Sequence, residues 1–315
     1  MEYGAHLPLI EFEGARRTLA DLRAYARRAA ALGYRYLCAN DHLLFGRPWL
    51  DGPTALAATI EASAEMTLAT TVCLPVVRGP VQSAKMLAAI DILSGGRLVA
   101  GVGPGSSARD YAAIGVPFEQ RWQRFDEAIR ALRSLLGENT ESFAGRFYST
   151  EGLSLEPPPS RPSGPPIWIA SWGSPAGLRR VARLGDGWLA SGYNTTPSGF
   201  EASLGRLYEE LEAAGASRGA FPNGIATMWL HVTETPRDAE RMLEDVLAPM
   251  LNRPIEALRD LALPIGSPEQ CAQRISAYQE AGAERIFVWP LADELHQLER
   301  FREDVVPLVS PPRRP

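Results

Sequence analysis

Lysine is almost absent from this chain of 315 residues: Lys85 is the only one, and arginine supplies the remaining positive charge. The formal net charge is −5 at pH 7. The sequence contains no cluster of basic residues of the kind that binds nucleic acid. No apolar run approaches the length of about 20 residues that crosses a bilayer. Neither a nucleic acid nor a membrane is therefore expected as a partner.

Cysteine and histidine are also scarce. Cys38, Cys73 and Cys271 are widely spaced and form no C-x-x-C pair, which argues against a disulfide framework or a zinc knuckle. The four histidines show neither H-x-H nor H-x-x-x-H spacing, so no metal site is expected, and the G-x-S-x-G elbow of serine hydrolases is missing. The first residues lack the basic and apolar regions of a signal peptide. These features together favour a reduced, cytoplasmic protein.

One junction recurs along the chain: a helix ends, a glycine follows, and a short apolar strand begins. The glycines of the four copies are Gly33, Gly95, Gly185 and Gly282. We expect each glycine to take the left-handed conformation that a residue with a Cβ resists. Strands that are apolar on both faces and are separated by helices are typical of a parallel sheet.

These units predict eight strands and nine helices. The strands are expected near 3–8, 34–40, 67–74, 97–102, 166–170, 186–190, 225–233 and 285–289. The helices are expected near 14–32, 53–64, 80–93, 119–136, 174–183, 198–214, 237–251, 268–281 and 293–304. Eight strand–helix units fit a closed (β/α)8 TIM barrel, an α/β fold, better than an open sheet. We expect one domain over 1–315, with a hairpin and proline-rich run inserted near 140–165 and a helical excursion near 234–267.

The loops that follow the strands are expected to hold the functional residues, because active sites of such barrels lie at that end. Asp41 and His42 follow the second predicted strand. If Cys38 and Asn40 face the barrel axis, His42 faces it too and Asp41 turns outward. His42 is then a candidate general acid or base, and the alternative is that it merely packs at the rim.

Three further loops have distinctive backbone chemistry. Prolines and a glycine within 75–80 indicate a fixed, irregular backbone that could support a flat ring, although Pro80 can equally begin a helix. The glycines of 103–107 would let a ligand approach the backbone, but the loop does not match G-x-G-x-x-G. Residues 171–175 open a helix with two hydroxyls, which suits a phosphate. Ser174 is also a candidate N-cap, and the two interpretations are compatible because a capped helix end can bind an anion.

A set of motifs extends over most of the chain, from about residue 3 to 309. It comprises Thr71-Val72, Pro75, Arg78, Pro80, Ala84-Lys85, Asp91, Leu93-Ser94-Gly95-Gly96-Arg97-Leu98 and Gly101-Val102-Gly103, together with Asp41-His42, Pro166-Ile167-Trp168-Ile169, Gly185-Asp186-Gly187-Trp188 and Gly266-Ser267-Pro268. This set resembles the bacterial luciferase-like family of flavin- and deazaflavin-dependent oxidoreductases. The resemblance implies a barrel that holds FMN or coenzyme F420 at its mouth and acts on a small organic substrate.

The resemblance also implies roles for individual residues. His42 would assist proton transfer, and a non-prolyl cis peptide on a bulged third strand would back the ring near Thr71–Cys73. Phosphate binding is implied for the segment that begins at Ser171. Cofactor contacts are implied for Asp41, Thr71, Val72, Cys73, Gly103, Pro104, Gly105, Ser106, Ser171, Trp172 and Gly173. An apolar substrate pocket could include His6, Trp49, Tyr193 and Trp289, although each is more often plain core or rim packing.

Two departures from the family pattern bear on the cofactor and the substrate. Pro104 stands where flavin-using luciferases tend to carry an arginine, which favours F420 over FMN. Ser106 stands where some deazaflavin dehydrogenases place an acid, so the proton donor stays open and a sugar phosphate is less favoured. We expect hydride transfer between F420 and an organic substrate. The alternatives are a monooxygenase that uses reduced FMN and a non-catalytic flavin-fold binding protein. A homodimer is expected by analogy with the family.

Overall fold

The computed structural model describes residues 1–12, 17–138, 140–217, 219 and 221–310. Within them the strands are β1 Glu2–His6, β2 Tyr36–Ala39, β3 Thr67–Cys73, β4 Leu98–Val102, β5 Ile167–Ala170, β6 Gly187–Ser191, β7 Asn223–Val232, β8 Ile265–Gly266 and β9 Arg285–Pro290. Strands β1 to β7 pair in chain order, and β9 closes the ring between β7 and β1, with every pairing parallel. The predicted (β/α)8 barrel is confirmed. The two-residue β8 was not predicted, and it extends the sheet only beside the end of β7.

Helices surround this ring. In the described residues they are α1 Leu19–Ala31, α2 Gly52–Ala58, α3 Pro75–Arg78, α4 Pro80–Leu93, α5 Ala108–Ala113, α6 Arg121–Leu136, α7 Pro175–Leu184, α8 Pro197–Ala213, α9 Pro236–Arg241, α10 Ala248–Leu251, α11 Ile255–Arg259, α12 Pro268–Glu280 and α13 Glu294–Arg300. None of these described helices is long and apolar enough to cross a membrane.

Five of the nine predicted helices agree with observed helices within two residues at both ends, namely α4, α6, α7, α8 and α12. Several of the other differences have local causes. Residues 14–16 of the first predicted helix lie outside the described part of the chain, and α1 begins only after Thr18, whose hydroxyl caps it. The single helix expected over 237–251 is interrupted by a π-helical turn at Met242–Leu247, and a second such turn follows α13. The short helices α3 and α5 were not predicted, and α11 lies within the helical excursion expected near 234–267. The hairpin expected in 140–165 corresponds to one antiparallel bridge between Ala144 and Ser149.

The repeated glycine junction has two physical origins. Gly33, Gly95 and Gly282 have φ of +77°, +67° and +92°, as expected. The expectation is wrong for Gly185, whose φ is −104°. A Cβ on Gly185 would lie 2.9 Å from the carbonyl oxygen of Val181. Glycine is therefore required there for the close approach of the backbone and not for its conformation.

The interior of the ring is filled at the level of the middle of the strands. The buried side chains there come from alternate positions of neighbouring strands, as in other closed barrels. They are Tyr36, Cys38, Ala69, Val99, Trp168, Leu189, Ala226 and Phe287. This layer closes the barrel at its middle, and active sites of such barrels lie above it, at the carboxyl ends of the strands.

Two strands of the ring are irregular. The register of β3 against β4 shifts between Thr70 and Cys73, and the peptide bond from Thr71 to Val72 is cis, which confirms the bulge and the cis peptide expected there. In β7 the register against β9 shifts between Ile225 and Met228, and Thr227 has φ +52°. After that shift Trp229 stands opposite Trp289 of β9.

Candidate functional site

Asn40, at the end of β2, fixes the bulge of β3. Its side-chain oxygen accepts hydrogen bonds from the backbone N–H of Asp41 at 2.7 Å and of Val72 at 3.0 Å. The Val72 amide is thus satisfied by a side chain where the register with β4 is broken. Asn40 was not singled out from the sequence, because its role depends on a strand that lies thirty residues further along the chain.

The carboxylate of Asp41 accepts hydrogen bonds from other residues of the chain. It is 2% exposed and accepts from Nε and a terminal nitrogen of Arg78, each at 2.6 Å, as well as from the Leu74 N–H at 3.3 Å. Arg78 also pairs with Asp51. The hydrogen bonds that Arg78 donates to Asp41 outweigh burial and raise the pKa of Arg78. This bidentate pair holds α3 against the end of β2, and contact of Asp41 with a cofactor stays a prediction.

His42 pairs with a carboxylate that the sequence did not reveal. Its Nδ1 lies 3.3 Å from Oδ2 of Asp110, the third residue of α5, and the other oxygen of Asp110 accepts from the Leu44 N–H at 2.9 Å. Burial alone would raise the pKa of Asp110, but the hydrogen bonds from His42 and the His42 loop lower it below its usual value. An ionised Asp110 favours the tautomer of His42 that carries its proton on Nδ1 and has a lone pair on Nε2.

His6 is enclosed by protein. It has no exposed surface, its Nε2 lies 3.0 Å from the hydroxyl of Thr71, and its ring stacks on that of Trp289 at a centroid distance of 3.6 Å. Burial lowers the pKa of His6 to about 3. His6 is therefore a neutral ring at physiological pH, and it supports Thr71 at the bulge of β3.

Three tryptophans form a cluster with these histidines, and we call Trp49, Trp229 and Trp289 the tryptophan cluster. Trp229 stacks on Trp289 at 4.5 Å and 22°, and Trp49 meets Trp289 edge to face at 5.4 Å. The ring of His42 lies 4.8 Å from that of Trp49. The structure thus brings together three of the four residues predicted for a substrate pocket, namely His6, Trp49 and Trp289.

The fourth predicted pocket residue, Tyr193, packs against Arg253 of the helical excursion. The guanidinium carbon lies 5.1 Å from the centre of the Tyr193 ring. Arg253 also donates to the Tyr193 carbonyl and to the side-chain oxygen of Asn194. This contact fixes the loop after β6, and the role of Tyr193 towards a substrate stays a prediction.

The loop after β4 packs tightly against the bulge of β3, and we call the backbone of residues 71–73 and 103–106 the cradle. A Cβ on Gly103 would lie 2.7 Å from a methyl group of Val72, so no larger residue fits without movement. Gly105 has φ +82°, and the Pro104 carbonyl accepts from the hydroxyl of Tyr111 at 2.5 Å. Ser106 is exposed beside this loop. These contacts hold the backbone of the loop in a fixed shape.

The start of α7 combines hydroxyl groups and backbone amides. Ser171 accepts from the Gly173 N–H at 3.3 Å, and Ser174 accepts from the Gly177 N–H at 3.2 Å. Ser174 is therefore an N-cap, one of the two interpretations considered above. Trp172 is 57% exposed. The role of this segment towards a phosphate stays a prediction.

Sequence reasoning missed Asp110 and Trp229 as well as Asn40. Asp110 had a usable signal: Ser107 caps α5 and accepts from the Asp110 N–H at 3.1 Å, which is the serine–acid spacing of a helix start. Trp229 had none, because the bulge at Thr227 changes which alternate residues of β7 face the interior.

The model of the luciferase-like monooxygenase family matches residues 9–252. Two curated relatives are enzymes named for F420. The F420-dependent glucose-6-phosphate dehydrogenase of Kineococcus radiotolerans is 27% identical, over 92% of this chain and 93% of the relative. The F420-dependent hydroxymycolic acid dehydrogenase of Mycobacterium tuberculosis is 28% identical, over 91% of this chain and 83% of the relative.

A solved structure shares the fold. It is an F420-dependent secondary alcohol dehydrogenase in complex with an F420–acetone adduct, which matches with a TM-score of 0.83 at 18% identity and covers 98% of this chain and 99% of that one.

Proposed function

The chain belongs to the luciferase-like monooxygenase family, and from this premise we propose that it is an F420-dependent oxidoreductase that transfers a hydride to or from a small organic substrate. The observation that carries the proposal is the His42–Asp110 pair beside the cradle at the mouth of the barrel. The F420-named relatives that match over nine tenths of the chain support the choice of F420 over FMN.

The residues present fit such a cofactor. The backbone at Gly103 lies against Val72 with no room for a Cβ, and this fixed bulge could back a flat ring. The backbone of Thr71–Cys73 and the loop 103–106 would hold the ring, and the segment that begins at Ser171 would hold a phosphate. When bound, the deazaflavin accepts or gives a hydride at C5.

His42 supplies the proton chemistry in this proposal. During oxidation of an alcohol, the carbon–hydrogen electron pair leaves as the hydride, the hydroxyl proton passes to Nε2 of His42, and the carbon–oxygen double bond forms. Asp110 holds Nδ1 and stabilises the charge that His42 gains. His6 and the tryptophan cluster exclude water from the other side of the mouth.

Binding measurements test the cofactor. The purified protein is titrated with F420 and with FMN, each oxidised and reduced, and F420 is expected to bind more tightly. Preferential binding of FMN would instead support the alternative, a monooxygenase that uses reduced FMN. Binding of neither would leave a non-catalytic protein, and F420 that binds but is not reduced by any alcohol would contradict the dehydrogenase direction.

We propose in addition that the chain is one domain, that it works in the cytoplasm and that it forms a homodimer. The cytoplasmic location is supported by Cys38, Cys73 and Cys271, which are free thiols, all of them buried.

A further inference from the structure

The bulge of β7 contains a residue in an unfavourable backbone conformation. Thr227 has φ +52°, in the left-handed region that a β-branched residue seldom occupies. Such a conformation persists only where the surrounding structure enforces it. The contacts of Thr227 therefore decide whether the bulge forms.

The bulge determines which residue of β7 stands opposite Trp289. Ile225 pairs with Ile286 of β9, so a regular register would bring Met228 opposite Trp289. The extra residue at the bulge brings Trp229 there instead, and the two indole rings stack. Without the bulge, the tryptophan cluster would lose one of its rings to a methionine.

A chain of four hydrogen bonds runs from the helical excursion to this bulge. Arg253, which follows α10, donates to the side-chain oxygen of Asn194, and the amide nitrogen of Asn194 donates to the hydroxyl of Ser191 at 2.9 Å. The hydroxyls of Ser191 and Thr227 are 3.1 Å apart, and Thr227 donates its proton to the Ala226 carbonyl at 2.7 Å. Ser191 must therefore donate to Thr227, so every bond of the chain points in the same direction. We call Arg253, Asn194, Ser191 and Thr227 the polar relay.

The inner part of the polar relay is buried and closely packed. Ser191 and Thr227 are both buried. The Gly192 N–H donates to the Ala226 carbonyl at 2.8 Å, and a Cβ on Gly192 would lie 3.1 Å from the Thr227 carbonyl oxygen. The end of β6 and the bulge of β7 therefore cannot shift independently. A break in the relay would also leave a buried hydroxyl without its donor, which is unfavourable.

Arg253 fixes the outer end of the polar relay. Its two terminal nitrogens donate to the Tyr193 carbonyl and to Asn194, and its guanidinium lies against the Tyr193 ring. Its backbone N–H donates to the carbonyl of Ala248 in α10 at 3.1 Å. A charged donor makes a stronger hydrogen bond than a neutral one and polarises the bonds that follow it. The placement of the helical excursion is thus transmitted to the relay.

We propose that Arg253 is a positioning residue: through the polar relay it holds Thr227 in the left-handed conformation and so places Trp229 in the wall of the barrel mouth. The placement of Trp229 follows from the contacts of the chain itself. Its consequence for turnover rests on the proposed function.

Nuclear magnetic resonance of the unliganded protein, labelled with 15N at tryptophan, reads the position of Trp229 directly. Its indole signal is assigned by its loss in Trp229→Phe, and the signal of Trp122, exposed on α6, is the internal reference. Arg253→Met removes every donor of the side chain and is expected to shift the Trp229 signal while the Trp122 signal stays in place. An unchanged Trp229 signal would overturn the proposal.

Three further variants bracket this result. Arg259→Met is the matched control, because Arg259 lies in the same excursion, pairs with Glu240 and belongs to no bond of the relay; it is expected to leave the Trp229 signal unchanged. Asn194→Ala breaks the relay but keeps the bond from Arg253 to the Tyr193 carbonyl, and it is expected to shift the Trp229 signal as Arg253→Met does. Arg253→Lys keeps a charged donor and is expected to give a signal closer to that of the wild type.

A glycine at position 227 separates positioning from a general loss of stability. Glycine adopts positive φ without strain, so the bulge of Thr227→Gly no longer needs the relay. We expect Arg253→Met to shift the Trp229 signal in the wild-type background and to leave it in place in the Thr227→Gly background. Equal shifts in both backgrounds would mean that Arg253 acts on Trp229 by another route, and would contradict the proposal.

Kinetics with F420 separate the two levels of the argument. If an alcohol reduces F420 on the wild-type protein, Arg253→Met is expected to lower kcat/KM for that alcohol about tenfold, the size of one hydrogen bond, mainly by raising KM. If F420 does not bind or no alcohol reduces it, the proposed function fails, and the Trp229 signal alone decides on the relay. Normal kcat/KM with a shifted Trp229 signal would leave the proposed function standing and would remove Arg253 as a positioning residue.

Discussion

At the scale of single residues, His6 and His42 show how surroundings divide similar side chains between roles. Both contact the tryptophan cluster. His6 has no exposed surface and meets no carboxylate in its described contacts, so it stays neutral. His42 is partly exposed and pairs with Asp110. Only His42 therefore combines partial exposure with a hydrogen-bonding carboxylate.

Replacement of His42 by alanine is expected to affect turnover far more than cofactor binding. A positioned acid or base contributes a factor of about 100 to 10,000, so kcat should fall by at least about 100-fold while the Kd for F420 changes little. Steady-state kinetics and a binding titration measure both. His296→Ala, with a side chain 66% exposed, is the control. An equal loss of turnover and affinity would mean that His42 is only a binding contact.

Asp110→Asn removes the negative charge beside His42 and keeps an oxygen that can accept the hydrogen bond from the Leu44 N–H. We expect kcat to fall about tenfold or more, with a Kd for F420 close to that of the wild type. The substitution leaves the size of the side chain unchanged, so unaltered turnover would remove Asp110 from the mechanism.

The lowered pKa of His6 is expected to make the stability of the fold depend on pH. Its folded pKa of about 3 lies below the usual value of 6.5, so between these values the unfolded chain binds a proton that the folded chain does not. The free energy of unfolding therefore falls with decreasing pH, by up to about 1.4 kcal/mol per pH unit from this residue. Denaturant unfolding from pH 7 to 4 should show a shallower slope in His6→Gln than in wild type. The control His296→Gln should keep the wild-type slope. If His6→Gln also keeps the wild-type slope, His6 is not the cause of the pH dependence.

At the scale of elements, the site depends on the close approach of β4 to the bulge of β3. Gly103→Ala places a Cβ 2.7 Å from Val72 and must displace one of the two segments. We expect the Kd for F420 to rise about tenfold, because the displaced backbone no longer fits the ring. Gly205→Ala, in α8, is the control, since its Cβ meets nothing within 4 Å. Unchanged F420 affinity in Gly103→Ala would show that the cradle does not hold the cofactor.

The helices and strands also show which sequence patterns were sufficient to predict an element. Four glycine junctions and the remaining apolar runs predicted all eight strands of the ring within two residues, because buried parallel strands carry their pattern in consecutive residues. The four-residue α3 and the two-residue β8 are too short to produce a pattern of their own. The π-helical turns inside longer helices likewise leave no periodic signal.

At the scale of the whole molecule, the sequence did not predict which distant residues form hydrogen bonds with each other. His42 was identifiable from its place after β2, but the bonds from Asp110 to His42 and from Asn40 to Val72 join residues that only the closed barrel brings together. The resemblance to the luciferase-like family supplied the cis peptide and the bulge. Trp229 required the observed register of β7.

The proposed homodimer makes a prediction about mass. Leu43, Leu44, Leu50 and Val81 are between 37% and 50% exposed, and three of them follow β2 closely in the chain. Light scattering coupled to size exclusion is expected to give twice the chain mass of 34.3 kDa. Leu43→Glu should shift the population towards the single-chain mass. A wild-type protein that elutes as a single chain at micromolar concentration would contradict the dimer.

The pairing of β1 with β9 also constrains how the protein is made. Tyr3 pairs with Ile286 and Ala5 with Val288, so the first strand to leave the ribosome waits for almost the whole chain before it gains its second neighbour. Until then β1 exposes an unpaired edge, a known starting point for aggregation. His6 likewise meets Trp289 only at that last step. A nascent chain stalled before β9 would therefore lack both the seam of the barrel and one wall of its mouth.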